Sequence, residues 1–156
     1  MTLSAEDLLG ILNAEKQMHS KLRFREKDHP DYEEAVCPVL CPEFPEANIQ
    51  FVTHYHISRI PRKYSFVLLV QQKRCLALDV GPGRAHYNIR TGQVVTHTHW
   101  QRLPDITNAE PDSRELTHWQ WYKEFMEVAK IDYKDQYAAP KFDNVVEQSD
   151  LWNYDK

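Results

Sequence analysis

Histidine is the side chain that changes charge nearest neutral pH, and five of the eight histidines in this 156-residue chain fall between residues 54 and 99. The sharpest grouping is His97-Thr98-His99. On a strand, residues two apart share a face, so the spacing predicts two neighbouring imidazoles able to act as general base and general acid, or to bind a metal. Just upstream lie Asp79, the turn Gly81-Pro82-Gly83-Arg84, and His86. If consecutive strands pair as a meander, these groups converge at one end of a sheet. Cleaving an RNA phosphodiester without metal needs a base for the 2′-hydroxyl proton, an acid for the leaving oxygen and a cation for the charge gathering on phosphorus. His97, His99 and His86 supply acid and base candidates, and Arg84 supplies the cation. The same neighbourhood admits a second chemistry, in which His97, His99, His86 and Asp79 ligate zinc or iron with a position left open for water.

Charge supports a phosphate-rich ligand. Residues 1–50 carry five Lys/Arg against ten Asp/Glu, residues 51–104 carry eight against one, and residues 105–156 carry six against twelve. The central block therefore offers a basic face within a chain of net charge −4. Arg62, Lys63 and Arg74 are the expected phosphate contacts, with Asp79 and the pair His54 and His56 beside them as substrate-binding candidates; Arg59 and Lys73 add to the same positive field. A pI near 6.0 argues against a general nucleic-acid coating protein, so any nucleic-acid contact must be local. Trp100, Trp119 and Trp121 can stack on bases or fill the core.

The elements that must position these residues are read from periodicity. Ser4 caps a helix over residues 5–23, whose Leu8, Ile11, Leu12, Met18 and Leu22 recur near helical spacing. Residues 24–47 hold four prolines and read as a linker; Cys37 and Cys41 within it have a zinc-like spacing but no second cysteine pair. From 48 to 103 the period becomes two: strands over Ile49–Ile60, Lys63–Val70, Arg74–Val80 and Gln93–Gln101 make a basic, His-rich meander. Pro104 to Pro111 reads as loop. A second helix over 112–130 starts from Asp112 or Ser113, and 131–156 forms an acidic, aromatic arm. The expected architecture is a single α+β domain: an antiparallel sheet of about four strands, with the N-terminal and C-terminal helices packed on one face and the other face free for a ligand.

The stretch from Arg62-Lys63-Tyr64-Ser65-Phe66 through Asp79, Gly83 and His86 to His97-Thr98-His99 resembles the core of the TumE-like toxins of bacterial toxin–antitoxin modules and related uncharacterised families. Those share a basic-aromatic strand, a second strand ending in aspartate, a loop histidine and a His-x-His pair. The resemblance covers about 40 residues; the Pro-rich linker and the acidic arm have no counterpart in it. It implies a small cytoplasmic toxin acting on RNA or translation, paired with a cognate antitoxin.

Three function classes follow: a metal-independent, toxin-like endoribonuclease using His acid/base chemistry; a non-enzymatic inhibitor or adaptor that engages a protein partner; and a His-ligated metal enzyme. The first needs no cofactor. The absence of a basic leader or long apolar run points to the cytoplasm and no membrane, and three cysteines are too few for a disulfide framework. No phosphate-binding glycine motif, nucleophile elbow or dinucleotide fingerprint is present, which argues against nucleotide hydrolysis, serine-esterase chemistry and nicotinamide use.

Overall fold

The computed structural model describes residues 2–27, 30–83, 85–133 and 135–141. It is an α+β fold built on an antiparallel sheet. Helix α1 is Ala5–Asn13, followed by β1 (Lys16–Gln17), β2 (Arg25–Glu26), β3 (Tyr32–Val39), β4 (Ile49–His56), β5 (Tyr64–Val70) and β6 (Lys73–Val80). A small hairpin, β7 (His86–Tyr87) and β8 (Val94–Val95), precedes β9 (His99–Arg102) and β10 (Asp105–Pro111). Helix α2 (His118–Ala129) and β11 (Ile131–Asp132) complete the described elements. The main sheet runs β10-β9-β6-β5-β4-β3-β2, seven strands rather than the expected four.

Alternation along the central strands separates two faces. On β4, Ile49, Phe51, Thr53 and Tyr55 are buried, whereas Gln50, Val52, His54 and His56 are half-buried. The register Phe51↔Leu68, Thr53↔Phe66 and Phe66↔Leu78 carries the apolar face across β5 and β6. Helix α2 lies on it: Phe125 meets Phe51, Phe66 and Trp100 with ring centroids 5.5, 5.8 and 6.2 Å away. Trp121 is fully buried, and Trp119 and Trp100 pack against Tyr122 and Phe125, so these three of the four tryptophans have core contacts. Helix α1 contacts β6. No helix among the described residues is long and apolar enough to cross a membrane.

Three expectations are corrected by physical detail. Helix α1 stops at Asn13 instead of running to residue 23, because burial then alternates: Ala14, Lys16, Met18 and Leu22 point inward at even positions. Lys16 hides this period-two signal, since its buried ammonium looks polar in sequence. It donates to the carbonyls of Leu12, Ala14 and Ala129 at 3.0, 2.8 and 2.7 Å, closing the carboxyl ends of both helices with one cation. The linker over 24–47 instead contributes β2 and β3. Pro38 is tolerated there because it shares parity with Leu40, whose backbone bonds Gln17 on the side away from β4, so the missing N–H removes no bond to β4. Residues 105–111 form β10 rather than loop, and α2 begins at Thr117 with a capping box through Gln120, while Asp112 instead binds Trp100 Nε1 at 3.0 Å.

Other strand ends move by a few residues. β4 stops at His56, where the His56 ring turns the chain, and the expected strand over Gln93–Gln101 splits into β8 and β9. The break Gln71-Gln72 between β5 and β6 does make a tight hairpin: both residues adopt positive φ, 50° and 65°, the geometry that asparagine and glycine usually supply. In the arm, β11 pairs in parallel with β1, and Tyr133 and Tyr137 pack on α2. Phe142, Leu151 and Trp152 lie outside the described residues. All three cysteines are free and buried.

Candidate functional site

Cross-strand partners in a sheet share a face, and the register here lines up four polar residues. His54 pairs with Ser65, Ser65 with Asp79, and Asp79 with His99. They form a row across β4, β5, β6 and β9 on the face opposite Phe51 and Phe66. Apolar sequence on β5 supplies the contrast: with both flanking residues Tyr64 and Phe66 turned into the core, Ser65 is the one hydroxyl set between a histidine and an aspartate.

Above this row lies a cavity of about 390 Å³, lined by His54, Lys63, Ser65, Asp79, His86, His97 and His99, with Gly81 and Gly83 at its wall. The Gly81-Pro82-Gly83 turn closes β6 against the loop that carries His97. Gly81 N–H donates to Thr98 Oγ1 at 3.0 Å, and Gly83 N–H to the Thr96 carbonyl at 3.2 Å. Gly81 has φ +94°, and a Cβ there would come 2.2 Å from the Arg62 carbonyl oxygen, so glycine is required. The β7–β8 hairpin is held from the other side by buried Asn88. Its amide donates to the Ala109 carbonyl and accepts from the Ala109 N–H, both at 2.8 Å, which carries His86 to the cavity.

Two rings have their tautomers set by acceptors. His99 Nδ1 lies 2.7 Å from the His97 carbonyl oxygen and Nε2 lies 3.3 Å from Asp79 Oδ2. Neither a carbonyl nor a carboxylate can donate, so the two contacts are satisfied together only when both nitrogens bear hydrogen, which favours the imidazolium form of His99. The Asp79 hydrogen bond, against the opposing effect of burial, raises the His99 pKa above the ordinary value. Burial pushes Asp79 up, but the hydrogen bond and charge of His99, with Arg74 and His54, outweigh it and hold the carboxyl below its usual range. His86 Nε2 lies 2.7 Å from the Thr107 carbonyl, so it donates there and leaves Nδ1 with its lone pair in the neutral ring. The His86 and His99 ring centroids are 6.1 Å apart. His54 differs again: burial, with the Lys27 and Arg74 charges, lowers its pKa and favours the neutral ring, whose Nε2 and Nδ1 lie 2.9 and 3.1 Å from Ser65 Oγ.

The sequence candidates thus separate. His54, Lys63, Asp79, His86, His97 and His99 meet at one cavity. His97 and His99 do not stand side by side on one strand, however. β9 begins at His99, His97 sits at the bend before it, and the contact between them runs through the His97 carbonyl. Arg62 is buried, and its carbonyl lies where a side chain at Gly81 would have to go. Arg74 is exposed and acts on the row through its charge. His56 is taken up by structure, its Nδ1 accepting from the N–H groups of Ser58 and Arg59 at 3.3 and 3.0 Å. Arg84 lies outside the described residues. Ser65, Asn88, Thr98 and Thr107 were not singled out by residue type; Ser65 becomes visible only once the register places it between His54 and Asp79. Among the described residues, no three of histidine, cysteine, aspartate and glutamate are arranged to hold a metal ion, so the set His86, His97, His99 and Asp79 does not form a ligand cage.

The arrangement provides a ring with Nδ1 left unbonded (His86), a ring held toward the charged form by Asp79 (His99) and an exposed imidazole (His97) around a polar hollow. Comparison of the chain with family models, with curated proteins and with solved structures gives no match in any of the three.

Proposed function

We propose that the chain is a toxin-like endoribonuclease that cleaves RNA without metal. The observation that supports this reading is the placement of His86, His97 and His99 with Lys63 around one cavity, with the contacts of His99 favouring its charged form and His86 Nδ1 left without a bond. In the proposed step, His86 Nδ1 takes the 2′-hydroxyl proton and the 2′-oxygen attacks phosphorus. The bond from phosphorus to the 5′-oxygen breaks, and a protonated His97 gives its proton to that leaving oxygen. The products are a 2′,3′-cyclic phosphate and a free 5′-hydroxyl. His99 and Lys63 offset the charge on the phosphoryl oxygens; because both N–H groups of His99 are committed, it acts as a cation and not as the proton donor. Each acid or base is worth about 10²–10⁴-fold. A cognate antitoxin that covers the cavity is the proposed partner.

The test is incubation of purified protein with single-stranded RNA in excess chelator. Cleavage yielding cyclic phosphate ends, reduced at least about a hundredfold in His86→Asn and in His97→Asn, is the expected outcome. No cleavage by the wild type, or equal cleavage by both variants, overturns the proposal and leaves a non-enzymatic adaptor as the reading to pursue.

A further inference from the structure

The acidic first third of the chain conceals a basic groove. All five of its Lys/Arg residues fall between positions 16 and 27, and apart from buried Lys16 they lie along an extended segment. Over residues 18–25 the inward side chains are Met18, Leu22 and Phe24, while Ser20 is exposed. Met18 and Leu22 are buried and Phe24 half-buried, while His19, Lys21, Arg23 and Arg25 are exposed. The inward side is pinned: Gln17 and Leu40 exchange backbone bonds at 2.8 Å, Leu22 N–H donates to the Gln136 carbonyl at 2.9 Å, and the Lys21 carbonyl meets Cys37 Sγ at 3.8 Å. His19, Lys21, Arg23 and Arg25, three of them Lys or Arg, therefore lie on the outward side. They line a groove of about 870 Å³ with Glu26, Glu34 and Val36.

Register connects this groove to the cavity. Arg25 pairs with Glu34, and Glu34 with His54, so Arg25 stands on the same sheet face as His54, two strand spacings or about 10 Å away. Glu34, the carboxylate between them, is already neutralised by Lys27 at 3.0 Å. Glu26 remains as the opposing charge. Lysine and arginine side chains gathered along one groove, on a segment bonded to the core and leading to a polar cavity, suit an extended polyanion.

We infer that this groove is a second nucleic-acid site, which takes the phosphate backbone of single-stranded RNA flanking the nucleotide in the cavity. The inference rests on the proposed ribonuclease reading for what happens in the cavity, while the groove itself is defined by His19, Lys21, Arg23 and Arg25. Lysine and arginine at these positions meet successive phosphates without reading bases, so binding is independent of sequence and strongly salt-dependent.

Fluorescence anisotropy with labelled oligouridylate tests it, in a His97→Asn background so that the probe survives. Changing Lys21, Arg23 and Arg25 together to glutamate is expected to weaken binding by about tenfold or more at low salt and to reduce the slope of log affinity against log salt by about 2. The same charge change made with Lys123→Glu, Lys130→Glu and Lys141→Glu leaves both unchanged. Should the triple variant fail to fold by circular dichroism, Arg23→Gln alone should still lower the slope by about 0.7. Unaltered affinity and slope in a folded groove variant refute the site. Equal dependence on these residues for anionic lipid vesicles, with no binding of oligouridylate, refutes RNA as its occupant. Cleavage of a dinucleoside monophosphate by the wild type reports on the cavity alone. If it fails while the groove variants still lose oligouridylate, the ribonuclease reading falls and the groove stands; if it succeeds while groove variants bind normally, the groove falls.

Discussion

Replacing Asp79 with asparagine keeps the side-chain shape and one acceptor oxygen but removes the charge facing His99, and its effects can be worked out group by group. In the wild type, Asp79 holds the His99 pKa up against burial. With the carboxylate gone, burial and the Arg74 charge favour the neutral ring while the His97 carbonyl still favours the charged one, so the His99 pKa falls from its raised wild-type value. The energy at stake is modest, because the contact is 3.3 Å long and the Asp79 side chain is 39% exposed, which leaves solvent to screen it. About 0.5–1 kcal/mol is the appropriate scale for such a pair. The raised pKa of His99 contributes stability that is full below about pH 6.5 and is lost as pH climbs through its folded value; the lowered pKa of Asp79 contributes above about pH 3.9 and is lost as pH falls through its folded value. The stability gap between Asp79→Asn and wild type is therefore widest between about pH 4 and 6.5 and closes on both sides. Proton NMR titration of the His99 ring, with urea unfolding at several pH values, measures both quantities. An unchanged His99 pKa, or a gap that grows above pH 7, would refute the ion-pair assignment. On the proposed function, loss of the imidazolium also lowers the RNA cleavage rate at pH 7 by about 10²-fold, the scale of one charge-stabilising donor.

Gly81→Ala places a Cβ 2.2 Å from the Arg62 carbonyl at a positive φ, and should lower stability by about 2 kcal/mol or more, or roughly 4–8 °C in melting temperature. Gly83→Ala meets only the flexible end of Lys63 at 3.5 Å and should change the melt by less than about 2 °C; equal losses in the two variants would show that the turn is not built as described. His118 lies fully buried against Tyr64 and Phe66, and burial pushes its pKa down to about 3, so the folded state resists protonation that the unfolded chain accepts. Stability from this residue is lost as pH drops from about 6.5 toward 3, and His118→Phe should flatten that acid limb in urea titrations; an identical acid limb in the variant would contradict it.

Alternation along Ile49–His56 exposes β4 because one of its faces is in the core, the continuous apolar run Tyr64–Val70 exposes β5 because it is buried at nearly every position, and Ser4 marks the start of α1 through its capping hydrogen bond with Asp7. Elements governed by pairing were harder to read. β3 carries Pro38 and looked like linker, yet at that position only its outward side lacks a donor. β10 contains Asp105, Thr107, Asn108 and Glu110, with little apolar alternation, and is a strand because β9 offers it an edge. Arg62 reads as a phosphate contact, but the fold buries it, as it does Lys16.

At the candidate site, residue types alone marked His86, His97, His99, Asp79 and His54 as groups able to move protons or carry charge, since those capacities belong to the side chains wherever they stand. Which ring is biased toward the charged form, which nitrogen is left unbonded and which hydroxyl joins them was decided by the folded chain. Protonation follows from acceptors such as the His97 and Thr107 carbonyls and the Asp79 carboxylate, and those arrive from other strands through register. A one-residue slip between β6 and β9 would leave every amino acid the same and turn His99 to the opposite face of the sheet.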